Sequence, residues 1–299
     1  ILTLATVGTA GSTVMIALMC YYLLPLFNHS MPFLFCLLFG SLISPTDPIA
    51  VLSTFKRLKV PQSLHVLVAG ESLFNDGVGI VLFVTLYELT FSGTPITVPN
   101  VAFLFIKEAI GGALYGYLIG YAANELIKLS NETIAVLITL AIVTSGYALA
   151  NAIGISGPLA MVIAGLLIGN KARRGSLQDK INQTLQQFWI VIEDVLNAIL
   201  FFLIGLEILE VDLSLSQAAA AIAIVPIVLL CRWVTIKTTA NLLIKRSKRS
   251  NANNDILVWG GLRGGLSIAL ALSLPNSIER NLILGMTFAV VAFSILVQG

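Results

Sequence analysis

Leu64-His65-Val66-Leu67-Val68-Ala69-Gly70-Glu71-Ser72-Leu73-Phe74-Asn75-Asp76-Gly77-Val78-Gly79-Ile80-Val81-Leu82-Phe83-Val84 is an apolar run with two carboxylates at its centre. It is long enough to cross a bilayer as a helix, and its apolar residues surround the helix instead of lining one face. On such a helix Ser72 and Asp76 are four apart and point the same way, Glu71 and Asn75 form a second pair about 100° round, and Gly70, Gly77 and Gly79 let another helix come close. A charge at that depth costs about 2.5 kcal/mol or more, so each one needs a reason. Two neighbouring acids cannot both be charged and unpaired there. Either one is protonated or one has a basic partner, and Arg232 and Arg263 are the only deep cations on offer.

The rest of the chain agrees with a membrane setting. Of 299 residues 57% are hydrophobic and 11% charged, against about 25% charged in soluble domains, which excludes an ordinary soluble globule. A net charge of +2 is too balanced to suggest nucleic acid as a partner. Cys20, Cys36 and Cys231 lie in apolar runs without metal-ligand or disulfide spacing and read as small apolar residues. No resident cofactor is indicated.

Hydropathy predicts ten spans, at 1 to 27, 31 to 54, 63 to 91, 100 to 123, 133 to 150, 155 to 170, 184 to 209, 213 to 244, 255 to 274 and 280 to 299. Alternate connections carry Lys56, Arg57 and Lys59, then Lys128, then Lys171, Arg173, Arg174 and Lys180, then Lys245, Arg246, Lys248 and Arg249. Of basic residues the intervening connections carry only Arg280, and one of them is acidic, with Glu207, Glu210 and Asp212. This alternation supports an even number of spans and places the basic loops in the cytoplasm. Lys107, Glu108 and Glu88, near the opposite ends of their helices, are expected to snorkel, and His29 and His65 to be simple polar residues. The chain starts at Ile1 inside an apolar run and ends at Gly299 after another, and is expected to be a piece of a longer protein.

Two spans are interrupted, the second by Ser44-Pro45-Thr46-Asp47-Pro48 and the ninth by Gly260-Gly261-Leu262-Arg263-Gly264-Gly265. Proline removes a donor and clashes with the preceding turn, and paired glycines weaken a helix. Interrupted spans in separate halves point to a transporter with repeated halves, whose unwound segments expose carbonyls and helix ends near the midplane. Asp47 lies in the first break, where Thr46 and Asp47 could also cap a half-helix. A carboxylate stripped of water can hold a proton or a dehydrated cation but not both, so competition at one such group is already exchange, with no covalent step and no nucleotide. A cation channel, an intramembrane protease and a structural or sensory membrane protein are the rival readings. The first lacks a filter or ring of identical residues, the second lacks paired histidines or matched aspartates, and the third has no need of two charged breaks.

Four strings, Ser44-Pro45-Thr46-Asp47-Pro48-Ile49-Ala50-Val51, Gly70-Glu71-Ser72-Leu73-Phe74-Asn75-Asp76-Gly77, Phe201-Phe202-Leu203-Ile204-Gly205-Leu206-Glu207 and Gly261-Leu262-Arg263-Gly264-Gly265-Leu266, resemble those of the monovalent cation/proton antiporters in the sodium/proton exchanger branch. The resemblance covers essentially the whole chain. It implies an all-α polytopic fold of 12 to 13 helices with inverted repeats and two crossed broken helices. Residues 1–299 would then be a partial transmembrane domain lacking about three N-terminal helices, without a soluble domain. A homodimer in a bacterial inner membrane is implied, and no enzyme activity. Carried over residue by residue, the resemblance makes Asp76 the carboxylate that exchanges proton for cation (sodium first, lithium or potassium as alternatives), with Asn75 beside it, Ser72 a ligand, and Thr46 and Asp47 at the first break. Glu71 would be neutralised by an arginine, for which Arg232 is the choice although Trp233 follows it where a small residue is expected. Arg263 would balance helix-end carbonyls at the second break. The Asn-Asp pair resembles the electroneutral, one-for-one branch. Glu193, before the Leu203-Ile204-Gly205-Leu206 run, is implied either as a structural partner of Arg263 or as part of the ion path.

Overall fold

The structure, a computed structural model, describes residues 3–47, 62–92, 97–171, 176–210, 214–243 and 258–298. The basic residues Lys56, Arg57, Lys59, Arg173, Arg174 and Lys245 to Arg249 lie outside them.

The elements in chain order are α1 (Leu4–Phe27), α2 (Phe33–Ile43), α3 (Gln62–Phe91), α4 (Pro99–Lys128), α5 (Glu132–Ala152), α6 (Gly157–Lys171), α7 (Ser176–Glu210), α8 (Leu215–Leu243), α9 (Gly265–Leu272) and α10 (Ile278–Gln298). Seven of them are long and apolar enough to cross a membrane. Two of the short ones are half-helices for a local reason. α2 stops one residue before Ser44-Pro45, and α9 starts only after Gly260 to Gly264, so the spans expected at 31 to 54 and 255 to 274 are both cut at their interruptions. Among the described residues the sole β-type contact is an antiparallel bridge between Asp47 and Leu262, which lie in those two interruptions.

The chain forms two compact units, Ile1–Gly93 with Leu203–Gly299, and Thr94–Phe202. In the first, α1 packs on α2 and α8, α2 on α3 and α9, and α10 on α8 and α9. In the second, α4 packs along α6. Gly112, Gly116 and Gly120 on α4 face Ser156, Ala160 and Ala164, so that backbone meets backbone. α4 and α5 each contain a π turn, at Lys107–Gly111 and Ile142–Gly146. A π turn inserts an extra residue and rotates the faces that follow. Glu108 lies in the one in α4 and is buried where snorkelling was expected, whereas Lys107 beside it is exposed.

Candidate cation site at two broken helices

All the polar residues singled out on α3 and at the two interruptions fall in the first unit. Glu71 and Arg232, 161 residues apart, meet as a two-bond ion pair: Arg232 Nη1 donates to Glu71 Oε1 and Nη2 to Oε2, each at 2.9 Å. Both are buried, at 3% and 8% exposure, a depth tolerable for a carboxylate only with such a partner. Glu71 therefore has its charge balanced inside the protein. The Nδ2 of Asn75, one turn on, adds a third bond to Glu71 Oε1 at 3.1 Å.

Asn75 then ties α3 to the first interruption. Its Oδ1 accepts from Thr46 N–H at 3.2 Å, and its Nδ2 donates to Thr46 Oγ1 at 2.8 Å. These partners dictate the orientation of the amide, since a backbone N–H can only donate and a carboxylate oxygen here only accepts. Thr46 Oγ1 also lies 3.2 Å from Ser72 Oγ. Two hydroxyl oxygens and an amide thus gather where α2 ends.

The interruption itself has no loose backbone donor. Ser44 N–H bonds Gly40 O within α2, Pro45 has none, Thr46 N–H goes to Asn75, and Asp47 N–H goes to Leu262 O at 2.9 Å. Arg263 supplies the opposite charge: its Nη1 donates to Pro45 O at 3.2 Å and to Gly261 O at 3.3 Å. A guanidinium thus sits at the carbonyl end of α2, and the Asp47 carboxylate lies against Gly264, the residue that precedes α9. Each charge faces the helix end of opposite polarity. A Cβ on Gly264 would overlap the Asp47 carboxylate and one on Gly261 would lie 2.7 Å from Arg232 Nε, so a side chain at either place would displace those charged groups.

Asp76 follows Asn75 on α3 and is partly accessible. Asp47, Glu71 and Arg263 are the charged groups that act on it. Among the described residues no hydrogen bond or ion pair to its carboxylate occurs. It stands one turn beyond Ser72, so a carboxylate and a hydroxyl are presented by the same face of α3, beside Thr46.

Glu193 belongs to the second unit. Its side chain is exposed and lines a cavity of about 570 Å³ between α5, α6 and α7, near Trp189, whose Nε1 donates to Thr139 Oγ1 at 3.2 Å. Sequence reading named Gly79 and Gly264 without the Pro45 ring and the Asp47 carboxylate that they meet, and it missed Thr13 and Gly40, whose backbones touch. Glycine in an apolar span is too common to be singled out before its neighbour is known.

The family described as "Sodium/hydrogen exchanger, transmembrane" matches residues 1–299. The chain is 45% identical over 302 residues to the Na(+)/H(+) antiporter NhaP of Pseudomonas aeruginosa, a match covering 99% of this chain and 71% of that protein. It is 36% identical over 308 residues to the Na(+)/H(+) antiporter NhaH of Halobacillus dabanensis, covering 100% and 73%. The fold is similar to that of the sodium proton antiporter MjNhaP1 from Methanocaldococcus jannaschii at pH 8, with a TM-score of 0.73 at 20% identity over 98% of this chain and 78% of that one.

Proposed function

This chain belongs to the sodium/hydrogen exchanger family, and from that membership we propose that it exchanges sodium for protons across the membrane by alternating access, the two competing for Asp76. The observation that carries the reading is the contrast between the two acids of α3. Glu71 is neutralised by Arg232 and further bonded by Asn75, whereas Asp76 has no ion-pair partner among the described residues and stands one helical turn from Ser72, whose Oγ lies 3.2 Å from Thr46 Oγ1. A dehydrated sodium ion needs hard oxygen ligands in place of water. Asp76, Ser72, Thr46 and Asp47 supply them, and binding sodium displaces the proton that otherwise neutralises Asp76.

Asn75 prepares that site. Its Nδ2 occupies one lone pair of Thr46 Oγ1, and with the Thr46 hydroxyl donating to Ser72 Oγ the second lone pair of Thr46 is open to the cation. An aspartate at 75 would set an anionic oxygen against Glu71. With Glu71 held by Arg232 and the Asp47 carboxylate kept charged at the start of α9, Asp76 is the one carboxylate that titrates, which makes the exchange one for one and electroneutral. Proton competition makes apparent sodium affinity weaken as pH falls. The same reading gives a homodimer in a bacterial plasma membrane, with Lys128, Lys180 and the other basic loop residues on the cytoplasmic side.

The test is sodium-driven proton movement in proteoliposomes with voltage clamped by an ionophore, with lithium and potassium in parallel. The expected result is exchange that ignores voltage and is lost in Asp76→Asn. Exchange that survives Asp76→Asn removes that carboxylate from the mechanism, and sodium flux without proton counterflow removes exchange altogether.

A further inference from the structure

α1 contributes no charge to the site, yet it reaches the first interruption through one side chain. Thr13, buried in the middle of α1, lies with its Oγ1 2.9 Å from Thr9 O in its own helix and 3.2 Å from Ser44 Oγ, with Gly40 O at 3.5 Å. Ser44 Oγ in turn donates to Gly40 O at 2.6 Å. A threonine inside a helix ordinarily bonds back to the carbonyl four residues earlier. Thr13 has a single hydroxyl proton, and the structure offers it a second acceptor on another helix.

That second acceptor is in reach because the backbones touch. A Cβ on Gly40 would overlap the carbonyl oxygen of Thr13, so only glycine lets α2 lie this close to α1. Ser44 is also the residue that ends α2. Pro45, with its φ fixed and its ring packed against Gly79, is the only residue between Ser44 and Thr46. A displacement of Ser44 is therefore passed to Thr46 with little room for the backbone to absorb it. Thr46 is otherwise held from α3 by Asn75, and the Thr13 to Ser44 bond holds it from the opposite neighbour.

We propose that Thr13, acting through Ser44, is a positioning residue that sets the place of Thr46 and with it the affinity for the transported cation. The inference rests on the exchange reading above. Thr13 touches no substrate, and its methyl group would pack equally well as part of a valine, so the role lies in the hydroxyl.

The experiment compares Thr13→Val, Thr13→Ser and Ser44→Ala with the unaltered protein in sodium-driven proton movement, recording half-saturating sodium, maximal rate and thermal stability. Loss of the Thr13 to Ser44 bond predicts a rise in half-saturating sodium of about three- to tenfold in Thr13→Val, and at least as large a rise in Ser44→Ala, which also loses the bond to Gly40 O, with maximal rate within about twofold. Thr13→Ser is expected to restore the unaltered value. The double variant Thr13→Val/Ser44→Ala is expected to be no worse than the weaker-binding single one, since both remove the same contact. If Thr13→Val folds poorly, Ser44→Ala, which deletes only an oxygen, carries the same comparison. Unchanged half-saturation in Thr13→Val and Ser44→Ala overturns the proposal, as does a Thr13→Ser variant no better than Thr13→Val. Failure of the unaltered protein to move protons with sodium would instead overturn the exchange reading.

Discussion

Both units use glycine to bring backbones together, Gly40 against Thr13 in the first as well as the α4 glycines in the second, but in the first some glycines also lie against the charged groups of the broken spans. In the second unit Gly112, Gly116 and Gly120 bring α4 against Ser156, Ala160 and Ala164 of α6, and the atoms that a Cβ on them would meet are mostly backbone. In the first unit, Gly264, Gly261 and Gly79 make room for side chains: the Asp47 carboxylate, the Arg232 guanidinium and the Pro45 ring. One arrangement joins uninterrupted helices by close packing. The other lets charged groups and a broken backbone satisfy each other across elements, and it is there that the proposed cation site lies. Close approach is shared by both regions; what separates the functional one is that its helices stop in the middle of an apolar span.

The largest effect expected from this contrast is at Arg232. Arg232→Met leaves the Glu71 carboxylate buried with only Asn75, which predicts a loss of about 3–5 kcal/mol of stability, most of it regained in the double variant Glu71→Gln/Arg232→Met. Thermal unfolding decides this, and equal stability of the single and double variants would mean that the ion pair does not support the site. Next is Gly264→Ala, where the new methyl collides with Asp47. Overpacking of about 1–3 kcal/mol is expected, together with at least a roughly tenfold fall in sodium-driven proton flux. Gly116→Ala is the counterpart in the second unit: a similar loss of stability with half-saturating sodium unchanged. A shift in sodium affinity there would erase the distinction between the regions. The smallest effect belongs to Trp189→Phe, which removes the bond to Thr139 and should cost about 0.5–1.5 kcal/mol without changing sodium affinity.

The interruptions were readable from sequence because proline, paired glycine and charge inside an apolar run are all unfavourable there. Their positions at Pro45 and at Gly260 to Gly265 match the ends of α2 and α9. The polar face of α3 was readable for the same reason, since helix periodicity alone puts Ser72 with Asp76 and Glu71 with Asn75. Contacts between distant spans were not. Charge balance allowed either arginine to serve Glu71, and the choice between them is a matter of tertiary geometry: Arg232 meets Glu71 and Arg263 meets the carbonyls of Pro45 and Gly261. Thr13 left no trace, because a threonine in an apolar span looks the same whether it bonds its own helix or the next. Glu108 was misjudged because its burial depends on the elements that pack over it, which hydropathy does not give.

The central claim, that one carboxylate takes either a proton or a sodium ion, is tested most directly without transport. Sodium is added to the purified, weakly buffered protein at a pH where the site is protonated, and the protons released are counted against the sodium bound. The account predicts about one proton released per sodium bound, and none in Asp76→Asn. Sodium binding without proton release, or release that persists in Asp76→Asn, would contradict it.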